Sequence, residues 1–326
     1  QSSVGARKNL WLPTDDKPWF VGAQWDTNNK RESSKLRCNF MDENFEVTTV
    51  DVSSAFKRAY ASEYTKLAQA QAFGWAKDQG KYVLFDMDGT IIGGGNKIHE
   101  NALKGAMELV TLRLTSFGLG ATSEEINAAY EKARGEAREE LWKFGQYRDM
   151  EMRMYLMLME LAREKIKSGE VIAQLRVIAR EAYQKYWDQR LENSQVFPQA
   201  IACIEEMKKA GYSVVLFSDR RDSEAMDLLR KKVKTSEGEK ELSSLFDAMI
   251  VTNDLASESY PPIPLVRLGM PKEKYTYALI REHLEPRLMV GDSRRHDIHP
   301  AREAGIAAVR VKEGEGFDGV IAQLAA

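Results

Sequence analysis

A chain of 326 residues, 43% hydrophobic and 29% charged, suffices for one large or two ordinary domains and has a soluble, globular composition. Its net charge of −2 excludes a general electrostatic attraction to nucleic acid or membrane, and no apolar run approaches the ~20 residues of a membrane helix. Cys38 and Cys203 lie far apart and match no metal spacing. Free thiols are expected, in a reducing compartment: the cytoplasm or an organelle matrix such as the plastid stroma. The chain starts at Gln1 rather than Met, which reads as trimming or processing.

Residues 1–52 read as an irregular N-terminal arm. Pro13, Pro18, Gly22 and the polar run Asp26 to Ser34 are loop signals, with Trp11, Trp19, Phe20 and Trp25 interleaved. Large aromatics must bury somewhere, so the arm is expected to lie on its own core, on a second copy or on a partner protein. Phe45 to Val52 is β-branched and alternates loosely, a short strand. Phe56, Tyr60, Tyr64 and Leu67 then recur at helical spacing through to about Asp78.

The stretch Tyr82-Val83-Leu84-Phe85 is a short apolar run, suited to a strand buried on both faces. Asp86 and Asp88 follow one residue apart, and Gly89-Thr90 turn the chain. Two anions at the end of a buried strand repel and lose solvation, and a divalent cation or a shared proton is the usual remedy. Asp-x-Asp alone is equally compatible with a strand ending in a polar turn. Gly93-Gly94-Gly95 does not lead into a helix with Lys-Ser/Thr, so it reads as a hinge rather than a phosphate loop. Residues 98–195 are helical nearly throughout, with Thr122-x-x-Glu125 as a capping box and a Met-rich helix from Met150 to Ile166.

After Pro198, short strands and helices alternate. Helix 199–210, strand 212–217 ending in Ser218-Asp219, helix 223–232, a charged surface loop 231–240 and strand 246–251 come first. Helix 275–283, strand 288–290 ending in Gly291-Asp292, helix 300–304 and strand 307–311 complete the series. This alternation predicts a parallel sheet with helices on both faces and a ligand site at the carboxyl ends of its strands. Arg220 and Arg221 read either as a solvated helix-entry pair balanced by Asp219 and Asp222 or as readers of a second anionic group on a substrate. His296 and His299 read as surface residues.

The run from Lys81 to Thr90, with Ser218 and Val290-Gly291-Asp292-Ser293-Arg294-Arg295-His296-Asp297 in that order, resembles the haloacid dehalogenase-like (HAD) phosphohydrolase superfamily over residues 81 to about 312. The resemblance implies an α/β fold: a Rossmann-like parallel-sheet core (53–97 and 196–326), an all-α cap insert (98–195) and an N-terminal extension. It implies Asp86 as nucleophile and Asp88 as general acid and base. Ser218 and a lysine would bind the phosphoryl group. Lys272 lies at the better distance from Gly291-Asp292, Lys274 is the runner-up and Arg267 an outsider. Mg²⁺ would be held by Asp86, Asp292, Asp297 and the Met87 carbonyl, with Asp88 also counted in the metal set. The implied activity is Mg²⁺-dependent hydrolysis of a small phosphorylated metabolite through an aspartyl phosphate. A phosphomutase of the same superfamily stays open. So does a HAD-fold subunit or assembly factor that docks through its arm. Asp88 argues against a dehalogenase, which lacks the second aspartate.

Overall fold

The computed structural model describes residues 19–26, 35–41, 47–52, 73–76, 81–93, 95–140, 150–162, 169–252, 262–268 and 270–325. The chain forms two compact units, residues 1–72 and 73–326. In the first, β1 (Trp19–Asp26), β2 (Lys35–Met41) and β3 (Val47–Val52) make a three-stranded antiparallel sheet in that order. Within the segment expected to be irregular, the described residues form three strands. Its strand character lies in the alternation of Leu36, Cys38 and Phe40 with Lys35, Arg37 and Asn39. Gly22, a loop signal in sequence, sits where the β1–β2 register shifts. The strand expected within 45–52 is β3. The expected helix to Asp78 falls largely outside the described residues; within it, Phe73–Trp75 form a turn.

The second unit is built on a six-stranded parallel sheet. Its strands are β4 (Tyr82–Phe85), β7 (Ser213–Ser218), β10 (Ala248–Val251), β11 (Leu265–Arg267), β12 (Leu288–Gly291) and β13 (Ala307–Arg310), in the order β11-β10-β7-β4-β12-β13. All residues of β4, β10 and β12 are buried, as expected for parallel strands covered on both faces. The chain builds outward from β4 through β7 and β10 to β11, then crosses back to place β12 and β13 on the other side. The strand order thus reverses at β4, the position at which open parallel sheets hold ligands beyond their strand ends.

The two-residue strands β5 (Ile92–Gly93) and β6 (Gln195–Val196) pair antiparallel. Among the described residues, four helices of the insert lie between them: α1 (Gly95–Ser116), α2 (Ser123–Glu140), α3 (Met150–Ala162) and α4 (Gly169–Asn193). The insert therefore leaves and rejoins the core through one narrow ribbon. Thr122 and Glu125 cap α2 reciprocally: the Thr122 N–H donates to Glu125 Oε2 at 2.7 Å and the Glu125 N–H to Thr122 Oγ1 at 3.2 Å. α1 packs on α4, and α3 on α2 and α4. Met150, Met154 and Met157 are buried there and belong to the core.

The remaining helices are α5 (Pro198–Lys209), α6 (Asp222–Leu229), α7 (Lys274–Leu284), α8 (His299–Glu303) and α9 (Asp318–Ala325). The charged segment 231–240 is not a loop but a hairpin of β8 (Lys232–Thr235) and β9 (Gly238–Glu241). Its register sets Lys232 against Glu241 and Lys234 against Glu239, so the charges that suggested a loop are cross-strand pairs. Among the described residues, no helix is long and apolar enough to cross a membrane.

Candidate active site

Asp86 follows β4, the strand at the reversal point, and its N–H donates to the Val290 carbonyl at 2.9 Å. Two glycines let three acids converge there. Gly89 turns the chain with φ +78°, and a Cβ on it would sit 2.4 Å from Asp292 Oδ2. A Cβ on Gly291 would sit 2.5 Å from the Asp297 side chain. Asp297 lies in a single turn of π-helix (Arg294–Ile298), and its Oδ2 accepts the Ser293 N–H at 3.0 Å. One oxygen from each of Asp86, Asp292 and Asp297 lies within 4.8 Å of the others.

Lys272 is the cation inside this cluster. Its Nζ donates to Asp86 Oδ1 at 2.5 Å and to Asp297 Oδ1 at 3.0 Å, with only 1% of the side chain exposed. The ammonium rests 4.7 Å over the Phe217 ring, which Tyr277 braces edge-on. Burial pushes the Asp86 carboxyl well above the usual carboxylate range; Asp297 adds to this, Lys272 opposes it and Asp292 adds again. Burial also works against the Lys272 charge, but Asp297 and Asp86 outweigh it and hold its pKa well above that of an ordinary lysine. One ammonium thus bridges two of the three clustered carboxylates, Asp86 and Asp297.

Asp88 faces other partners. Arg220 Nε donates to its Oδ2 at 2.7 Å and Arg220 Nη2 to its Oδ1 at 2.6 Å, a two-pronged contact. Arg190 Nη2, from the insert helix α4, reaches the same Oδ1 at 3.0 Å. Burial opposes the Arg220 charge, yet Asp88 and Glu224 hold its pKa above the ordinary value. Arg220 is therefore not a solvated helix-entry residue. Nor is Arg221, whose Nη1 donates to Glu151 of α3 at 2.8 Å. Among the described residues the acid cluster does not include Asp88, so its place in the metal set is not supported. The Met87 carbonyl is also engaged, accepting the N–H groups of Ile91 and Ile92 at 2.9 Å each.

Ser218 ends β7, two residues past the partner of Phe85, and is buried; its Oγ accepts the Arg220 N–H at 3.2 Å. Of the two candidate lysines, Lys272 enters the site while Lys274 is exposed on the first turn of α7. Arg267 instead pairs with the buried Asp222. The acid cluster contains no histidine, and His299 is exposed.

Arg190 is the site residue that sequence reading missed. It lies 102 positions from Asp88, and no local motif marks it. The one available signal was the stripe Tyr183, Tyr186, Trp187 and Arg190 along α4. These residues hold, in turn, Glu224 at 2.9 Å, the Arg190 Nη1 donor at 2.7 Å, Asp227 at 2.9 Å and Asp88. The stripe is the seam between insert and core.

A family model for haloacid dehalogenase-like hydrolases matches residues 81–305. No curated protein matches the chain. Similar solved structures include a 2-haloacid dehalogenase from Pseudomonas syringae pv. Tomato DC3000, at 16% identity and TM-score 0.48, covering 76% of this chain and 99% of that one. A HAD phosphatase from Thermococcus onnurineus is 19% identical with TM-score 0.44, covering 72% and 88%. An archaeal beta-phosphoglucomutase from Pyrococcus sp. strain ST 04 is 15% identical with TM-score 0.39, covering 75% and 98%. The family match runs from the residue before β4 to the glycine after α8, well over half of the sequence, and the protein belongs to the haloacid dehalogenase-like hydrolases.

Proposed function

We propose that this hydrolase is a Mg²⁺-dependent phosphatase that cleaves a small phosphomonoester through an aspartyl phosphate on Asp86. The observation that carries this reading is the separation of Asp86 from Asp88. Asp86 sits with Lys272 in the acid cluster, while Asp88 is turned toward the insert and its arginines. Neighbouring carboxylates in different surroundings can take different roles.

An Asp86 oxygen attacks phosphorus and the bond to the leaving oxygen breaks; Asp88, protonated once the substrate has drawn the arginine donors off it, gives its proton to that oxygen. Asp88 then takes a proton from water, the water oxygen attacks phosphorus, and inorganic phosphate departs with Asp86 restored. Lys272 holds Asp86 in place and offsets phosphoryl charge, and the Ser218 hydroxyl donates to a phosphoryl oxygen. The oxygen-only donor set of Asp86, Asp292 and Asp297 fits a hard divalent cation. Asp86 and Asp292 would hold it, with Asp297 steadied by Lys272 and Ser293 close behind. When bound, Mg²⁺ supplies charge neutralisation at the phosphoryl oxygens.

The test is p-nitrophenyl phosphate hydrolysis. EDTA is expected to silence the protein and Mg²⁺ to restore it. Mg²⁺ is also expected to raise the melting temperature of the wild type, because it binds the folded site only. Asp292→Ala should lose both responses together. Full turnover in EDTA, or an undiminished Mg²⁺ shift in Asp292→Ala, would refute the metal assignment.

A further inference from the structure

The catalytic scheme uses Asp88 but not the two arginines that grip it. Arg220 comes from the core and Arg190 from the insert, and together they aim three N–H donors at one carboxylate. The exposure differs along this group. Arg220 is 10% exposed, whereas Arg190 and Asp88 are 23% and 28% exposed, so the Arg190 end of the group is the more accessible to solvent. Asp88 marks the leaving-group side of the scissile bond, and so the guanidiniums do too.

The positive character continues into the insert. Tyr186 accepts a hydrogen bond from Arg190 Nη1 at 2.7 Å, and its hydroxyl lies 2.9 Å from His99 Nδ1, a chain that fixes the aim of Arg190. Burial pushes the His99 pKa down to about 4, and the charges that add to this are guanidiniums: Arg190, Arg153, Arg134 and Arg220. Acids do stand nearby. Glu224 pairs with Arg220, Glu151 with Arg221, and Glu131 with Arg134 at the surface. Arg190 has no such acid of its own in these pairs beyond Asp88, which Arg220 already holds with two donors.

Resting on the phosphatase reading above, we infer that Arg190 and Arg220 form a subsite for a second anionic group, a carboxylate or a second phosphate, on the leaving portion of the substrate. A planar guanidinium presents paired donors that match either anion. A substrate anion entering from the Arg190 side takes up donors that otherwise rest on Asp88. His99 and Tyr186 are positioning residues for this subsite. The competing account is a latch, in which the same ion pairs only hold the insert against the core.

Calorimetric binding to the Asp86→Asn protein separates the two, because bound phosphate esters then persist. Matched pairs serve as probes: 2-phosphoglycolate against 2-hydroxyethyl phosphate for the carboxylate, and glycerol 1,3-bisphosphate against glycerol 1-phosphate for the second phosphate. The member with the second anion is expected to bind about 10–100-fold tighter in at least one pair, the scale of one or two charge-assisted hydrogen bonds. Arg190→Gln should bring that ratio close to one, and Arg190→Lys should leave it intermediate. A ratio near one in both pairs overturns the inference, and so does a preference that survives Arg190→Gln. A uniform loss of affinity for every ester in Arg190→Gln identifies a latch and overturns it as well. Hydrolysis of p-nitrophenyl phosphate by the wild type reports on the phosphatase reading separately.

Discussion

Asp86→Asn is expected to reduce turnover by about 10⁴-fold or more, the scale of losing a covalent nucleophile, while melting no lower than the wild type. The two halves of this expectation have one cause. A carboxamide is a poor nucleophile toward phosphorus, yet it has the shape of the carboxylate and still accepts from Lys272. Burial and the neighbours Asp297 and Asp292 disfavour the charged form of Asp86, so its folded pKa lies above its unfolded one. The sign follows. The folded state binds the extra proton between those two values, so this group adds stability at low pH and loses it as pH rises through the folded pKa. Asn removes that loss. Melting curves of both proteins from acid to neutral pH check the stability half, and p-nitrophenyl phosphate kinetics check the catalytic half. A variant that turns over normally, or one that melts far below the wild type at neutral pH, contradicts the account.

Lys272→Met is expected to destabilise the second unit by about 3–5 kcal/mol, besides abolishing activity. Lys272 is buried and meets Asp86 and Asp297 directly. Methionine fills similar space but leaves Asp86 and Asp297 facing each other without the ammonium that bridges them. Breaking a buried ion pair by removing one partner costs more than the pair contributes, because the remaining charge is stranded. For a unit of this size the melting temperature should fall by roughly 6–20 °C. Adding Asp86→Asn to Lys272→Met should recover part of the loss, since one stranded charge disappears. Thermal melts of the two single variants and the double variant measure that coupling. A Lys272→Met protein that melts with the wild type would mean that the two acids do not depend on this lysine.

Much of the core was legible because its signals are local. β4, β10 and β12 read as apolar runs since both their faces are covered, and the ends of β4 and β12 are marked by Asp86 and Asp292. The Thr122–Glu125 box is local as well, and it forms as written. What was hidden depends on contacts distant in sequence. Lys272 and Lys274 differ by two positions. The loop after Pro271, pinned where Thr276 Oγ1 donates to the Pro271 carbonyl at 2.6 Å, sends one inward and leaves the other on the surface. Arg190 meets Asp88 only because the β5–β6 ribbon returns the insert helices to the strand ends. Arg220 and Arg221 could be read as a solvated pair next to Asp219 and Asp222, but their acids come from the turn after β4, from α6 and from α3. In the N-terminal unit, proline, glycine and polar signals outweighed the alternation in β2. The boundary at Ala72 also moves any truncation: a cut at residue 45 would split the sheet and leave β3 without β2.

The central claim, that phosphorus passes through Asp86, is tested most directly by trapping the intermediate. Asp88→Asn lacks the base that activates water, whereas p-nitrophenolate leaves without needing a proton. The first half-reaction should therefore run and the second should stall. Borohydride reduces an acyl phosphate to an alcohol, which would turn the phosphorylated aspartate into homoserine. Peptide mass mapping of Asp88→Asn, quenched with borohydride after mixing with p-nitrophenyl phosphate and Mg²⁺, is predicted to show homoserine at position 86 only when substrate was present. An unmodified Asp86 in a preparation whose wild type hydrolyses the same ester, or homoserine at Asp292 or Asp297 instead, would contradict it.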